Sequence, residues 1–138
     1  CSVAFYEESR GLLLSCESLG LYDAEETIIP AFLTGVQTTF DSIDKAEKLK
    51  VSRLLLPHEG ILDEKQTAFY MRNIRPKTEE AVEFILERLK KGASDPEIIE
   101  AFRLKYRHGG FVRTYPEEAM DLNTSIMIRL VRKEMLGA

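Results

Sequence analysis

A carboxylate, Glu17, and an imidazole, His58, each close an apolar run. Glu17 follows Gly11-Leu12-Leu13-Leu14-Ser15-Cys16, and His58 follows Arg53-Leu54-Leu55-Leu56-Pro57. Both side chains suit divalent transition metals, one through an anionic oxygen and the other through a neutral ring nitrogen. Two hydrophobic strands that each deliver one such group to their C-terminal ends are how an α/β scaffold assembles a site at a sheet edge. Two ligands do not close it, because structural zinc takes four protein ligands and catalytic zinc commonly three plus water. The chain also opens on Cys1-Ser2-Val3 with neither an initiator Met nor a leader, so the expectation is a piece of a longer protein.

The elements that must position this pair follow from periodicity. Val3, Phe5 and Glu7 alternate against Ser2, Ala4 and Tyr6, and the run at 12–14 follows a turn at Glu8-Ser9-Arg10-Gly11. That pattern predicts a β-hairpin whose second strand, apolar throughout, is buried on both faces. Residues 20–37 hold no clean period, and Pro30 and Gly35 interrupt them, which predicts a long loop lining a pocket. Thr38-Thr39 reads as a helix cap leading into Phe40, Ile43, Ala46 and Leu49, a helix of about three turns. Val51–Leu56 then reads as a buried strand ended by Pro57. Strand, helix, strand is a βα-type unit that puts both strand ends on one edge.

Beyond Gly60 the composition turns helical. Asp63 caps a segment expected to stop before Pro76, and Thr78 opens a second helix carrying Val82, Ile85, Leu86 and Leu89. Ser94-Asp95-Pro96 starts another with Ile98, Ile99, Phe102 and Tyr106 on one side, and Pro116-Glu117-Glu118 starts the last.

The stretch from Phe5 to Gly20, taken with Ile43–Leu49 and with Leu55-Leu56-Pro57-His58-Glu59-Gly60, resembles the C-terminal half of a metallo-β-lactamase-fold hydrolase. In that family a hairpin leads to a strand ending in an Asp that bridges two metals, and a later strand ends in a Pro- and Gly-flanked His. By the match, Glu17 stands where the bridging Asp stands and His58 where the last His stands. The family's Gly-Asp is here Cys16-Glu17, one methylene longer, and its His-x-His-x-Asp-His cluster lies upstream of the hairpin and is not in this chain. The resemblance implies an α/β fold, part of an αββα sandwich over residues 1–62, with a helical C-terminal subdomain over 63–138. It also implies a parent enzyme that uses zinc or another divalent transition metal to activate water against an ester, thioester, amide or phosphoester of a small-molecule substrate. The isolated chain is expected to bind zinc weakly and to hydrolyse nothing.

Composition bounds the alternatives. The 138 residues are 44% hydrophobic and 30% charged, ordinary for a soluble globular protein, and the net charge of -4 gives no overall footprint for nucleic acid. No apolar run approaches a membrane span, and two cysteines without CxxC spacing suit a reducing, cytoplasmic compartment. Cys16 reads as a small buried hydrophobe, and Tyr22 as an aromatic at a pocket rim. Glu59 reads as a group at or near the surface, and Lys45, Lys48, Lys50 and Arg53 as a wet basic face. The last helix, with Ile126, Met127, Leu130, Val131 and Met135, is apolar enough to suit a rival reading: a non-catalytic module that dimerises or binds a partner and carries a degenerate metal site.

Overall fold

A computed structural model describes residues 3–23 and 27–138. Cys1, Ser2 of the expected alternation, and positions 24–26 of the expected loop lie outside the described residues. In chain order the strands and helices are β1 (Phe5–Glu7), β2 (Leu12–Leu14), β3 (Leu21–Tyr22), β4 (Ile28–Ile29), α1 (Val36–Glu47), β5 (Arg53–Leu56), β6 (Gly60–Ile61), α2 (Glu64–Lys90), α3 (Asp95–Tyr106), α4 (Phe111–Thr114) and α5 (Glu117–Leu136). Among the described residues the architecture is mixed α/β, with five helices and two small sheets.

The larger sheet has the order β1-β2-β5-β6. β1 and β2 form the expected antiparallel hairpin, α1 crosses over, and β5 joins β2 in parallel with Leu13 opposite Leu54. Gly11 makes the junction possible. It sits at φ 57, and a Cβ there would fall 2.6 Å from the Ser52 hydroxyl and 2.9 Å from the Lys50 carbonyl. Its own carbonyl accepts from the amides of Ser52 and Arg53, which starts β5 in register beside the hairpin. β6 returns antiparallel to β5.

Paired residues share a face of a sheet. Leu13, Leu54 and Leu56 are buried beneath α1 and α2 with Ile43, Tyr70 and Ile74, each such leucine contributing about 2 kcal/mol. The register Phe5–Leu14–Leu55–Ile61 draws an apolar row across the opposite face. There Phe5 and Ile61 are 65% and 59% exposed, and Leu14 and Leu55 are half-buried. The expectation that β2 is buried on both faces is therefore wrong, because nothing among the described residues covers the outer row.

Two further expectations give way to packing. Residues 20–37 do not form a plain loop. β3 and β4 pair antiparallel within them, with Leu21 opposite Ile29, and α1 begins two residues before Thr38. The cap on α1 is neither Thr38 nor Thr39. The Glu134 carboxylate of α5 accepts from the amides of Val36 and Gln37 at 3.0 Å each, supplying from 98 residues away the acceptor that a helix start needs.

The helix expected to stop before Pro76 does not stop, and Thr78 starts no new one. Glu64–Lys90 is one helix capped at Asp63, whose carboxylate accepts from the Gln66 amide while the Gln66 side chain returns the bond. Proline inside a helix costs about 3 kcal/mol. Pro76 lies on the exposed side, however, while Tyr70 and Ile74 before it and Ala81, Val82 and Ile85 after it are buried along the other side. That burial exceeds the penalty, and α2 joins both hydrophobic clusters of the molecule.

The second cluster gathers α3, α4 and α5 on the end of α2, with Phe102, Ile98, Phe111, Met120 and Val131 inside. Ser94 and Glu97 form the capping box at the start of α3, as Ser94-Asp95-Pro96 leads one to expect. Met127 and Val131, which the rival reading would offer to a partner, are buried in this cluster; Leu122, Met135 and Leu136 are the large apolar side chains that α5 leaves exposed. No helix among the described residues is long and apolar enough to cross a membrane.

Candidate functional site

Both candidate ligands sit in turns just past the C-terminal ends of the parallel pair β2 and β5. After β2, the Ser15 amide donates to the Leu55 carbonyl at 3.2 Å, and the chain then turns through a short 3-10 segment, Cys16–Leu19, which carries Glu17. The buried Tyr70 hydroxyl of α2 donates to the Leu19 carbonyl at 2.6 Å and pins the far end of that turn. Burial above all, with the neighbouring Tyr22 phenol, pushes the Tyr70 pKa well up, so it remains a donor at any working pH. After β5, Pro57-His58-Glu59 makes the tight connection to β6, and His58 occupies it.

The geometry brings the pair together: His58 Nε2 lies 3.4 Å from Glu17 Oε1, with both side chains partly exposed at a common rim. A charge-assisted N–H···O bond is normally about 2.8 Å, so this is a loose contact. Two donors each about 2.1 Å from one tetrahedral metal stand about 3.4 Å apart, so the separation fits neighbouring ligands of a single ion. Among the described residues no third His, Cys, Asp or Glu joins them into a larger cluster.

Backbone strain marks the same place. The non-glycine residues at positive φ among those described are Cys16 at 51° and His58 at 72°, one in each turn. Such conformations cost about 1–3 kcal/mol each and persist where surrounding structure holds them, often at functional sites. Cys16 is exposed rather than the buried small hydrophobe its apolar neighbours suggest.

A pocket of about 270 Å³ opens beside the pair. It is lined by Glu17, His58 and Glu59 from the two strand-end turns, by Leu21, Tyr22 and Ala31, and by Phe111, Tyr115, Ala119 and Asn123 of the α4–α5 segment. Tyr22 belongs to the pocket as expected, but as a buried residue rather than at its rim. Desolvation, followed by the Asp23 charge, raises the Glu59 pKa. The Tyr115 pKa is also raised, by burial first, against the opposing Asn123 hydrogen bond and with the Glu17 charge adding to the rise. Glu17 also borders a second cleft of about 250 Å³, lined by Ser18, Ala31, Leu33, Thr34, Thr38, Thr39 and Ser42.

Sequence reasoning missed the α4–α5 wall. The signal available for it is Ala119 and Asn123 at i, i+4 on the last helix, a small and polar pair beside the apolar Met120 and Met127; Tyr115, in the extended step before Pro116, gives none.

Compared with known proteins, the sequence matches no family model, and no curated protein matches it.

Proposed function

We propose that Glu17 and His58 are two ligands of a divalent metal site, zinc foremost, in a hydrolase with the metallo-β-lactamase type of αββα sandwich, of which this chain forms one half plus a helical subdomain. The observation that carries the reading is the 3.4 Å approach of the Glu17 carboxylate to the His58 imidazole across two strained turns at parallel strand ends. The open apolar row Phe5–Leu14–Leu55–Ile61 supports the sandwich, since a second sheet stacked about 10 Å away would bury it. Ligand count supports a longer parent protein, because two donors fall short of the three that a catalytic zinc commonly takes.

When bound, such a metal lowers the pKa of water enough to make it a nucleophile near neutral pH. The chain's own part is to hold the carboxylate and imidazole at the sheet edge and to offer the substrate a pocket beside them. Ester, thioester, amide and phosphoester substrates are all compatible with this arrangement.

Zinc titration of the purified chain by calorimetry tests the proposal. One weak site is expected, with a dissociation constant above about 10 µM, removed by His58→Ala and by Glu17→Ala. Heat that survives both substitutions contradicts the ligand assignment, and submicromolar stoichiometric binding contradicts the shortage of ligands.

A further inference from the structure

The pocket between the strand ends and α4–α5 has a composition that selects among substrates. We propose that it receives the substrate's side group, and that it selects a neutral or cationic group with an apolar body, about the size of a phenyl ring on a short linker, over an anionic one. This rests on the reading of Glu17 and His58 as the reaction centre, because it is their position on the wall that makes the pocket a substrate pocket.

Size is the first argument. An apolar cavity of about 150 Å³ holds benzene, so a pocket of about 270 Å³ has room for a ring and a linker of a few atoms, and too little for a nucleotide or an extended peptide. Leu21, Ala31, Phe111, Pro116 and Ala119 give it an apolar lining.

Charge is the second. The acidic groups lining the pocket are Glu17 and Glu59, and among the described residues no Lys or Arg lines it. Arg107, on the segment leading into α4, spends its guanidinium elsewhere: Nε donates to the Tyr115 carbonyl, Nη2 to the Val112 carbonyl and Nη1 to the Glu117 carboxylate. In the metal-free chain, a carboxylate or phosphate entering the pocket would meet like charge with no Lys or Arg to offset it.

Hydrogen bonding is the third. The Asn123 amide donates to the Tyr115 hydroxyl at 2.7 Å, which orients the phenol and leaves its own proton to donate. Burial keeps that phenol in its neutral form, so it offers a donor to a carbonyl or ether oxygen of the bound group. Ala119 lies one turn before Asn123 on α5 and lines the same pocket as Tyr115, where a larger side chain would fill the space.

The test uses the whole chain without metal, in EDTA, and three probes of matched shape: phenylacetamide, phenethylamine and phenylacetate. Binding is followed by NMR through the Asn123 side-chain amide and the Tyr115 ring. Saturable shifts are expected for the amide and the amine, with phenylacetate weaker by about tenfold or more. Ala119→Trp is expected to abolish the shifts for the neutral and cationic probes. Glu59→Gln, an exposed substitution with no packing cost, is expected to improve phenylacetate binding several-fold even if the Trp variant fails to fold. The proposal is overturned if phenylacetate binds as tightly as phenylacetamide, if no probe perturbs Asn123 or Tyr115 at tens of millimolar, or if a folded Ala119→Trp chain binds unchanged. Because the assay needs neither metal nor turnover, probe binding without zinc binding would sink the hydrolase reading alone. Zinc binding without probe binding would sink only the pocket.

Discussion

The helical end of the molecule and the sheet end use similar amounts of apolar sequence to opposite effect. Around α3, α4 and α5 most apolar side chains meet in one cluster, although Leu104, Val112 and Leu122 stay exposed, and several charges of the rim are paired. Arg132 reaches Asp95, Arg103 reaches Asp121 at 2.8 Å, and Lys105 reaches Glu80 at 2.6 Å. The four-stranded sheet packs one face as tightly as any core and leaves Phe5 and Ile61 of the other face open. At the rim of that sheet stand two strained residues and a loosely associated carboxylate and imidazole. What sets the sheet end apart is an apolar row in register beside two strained turns, a combination that costs free energy and so points to function.

The comparison breaks most easily at large side chains. Phe102→Ala, at a fully buried position, is expected to lose about 3–5 kcal/mol in urea unfolding, whereas Phe5→Ser on the open face should stay within about 0.5 kcal/mol. A loss above about 2 kcal/mol for Phe5→Ser would mean that the row is already covered. Tyr70→Phe leaves the buried Leu19 carbonyl without its donor, and should cost about 1–3 kcal/mol while broadening amide signals from the turn that carries Glu17. Glu134→Ala removes the acceptor from the start of α1 and should cost about 1–2 kcal/mol, measured in the same assay.

The smallest effect is electrostatic. Hydrogen bonds from Lys105 first and Lys77 second hold the Glu80 carboxyl below its ordinary pKa. A depressed folded value means that its contribution is full at neutral pH, shrinks as pH falls below 4.5, and disappears once acid titrates the lowered folded value. Glu80→Gln should therefore cost less than about 1 kcal/mol at pH 7, the group being largely solvated, and the gap between variant and parent should close in acid.

The parts of this architecture written in local spacing were legible. Triple-leucine runs, an amphipathic stretch between them, and caps at Asp63 and Ser94 announce β2, α1, β5, α3 and the start of α2 without reference to anything distant. Because parallel pairing through a crossover helix follows from that order, the meeting of Glu17 and His58 was legible too. What escaped depends on remote partners. The cap of α1 comes from Glu134, and Pro76 is tolerated because it faces solvent while both flanks of α2 are buried. β3 and β4 are two residues each, too short to show a period. The pocket wall at Tyr115 and Asn123 has meaning only once α5 is laid against the strand ends.

The most direct test of the central claim is anomalous diffraction at the zinc edge from crystals of this chain soaked in millimolar zinc. The account predicts a peak about 2.0–2.2 Å from both His58 Nε2 and a Glu17 carboxylate oxygen. A zinc-soaked crystal with no peak between those atoms, or with the two side chains turned away from each other, would contradict it.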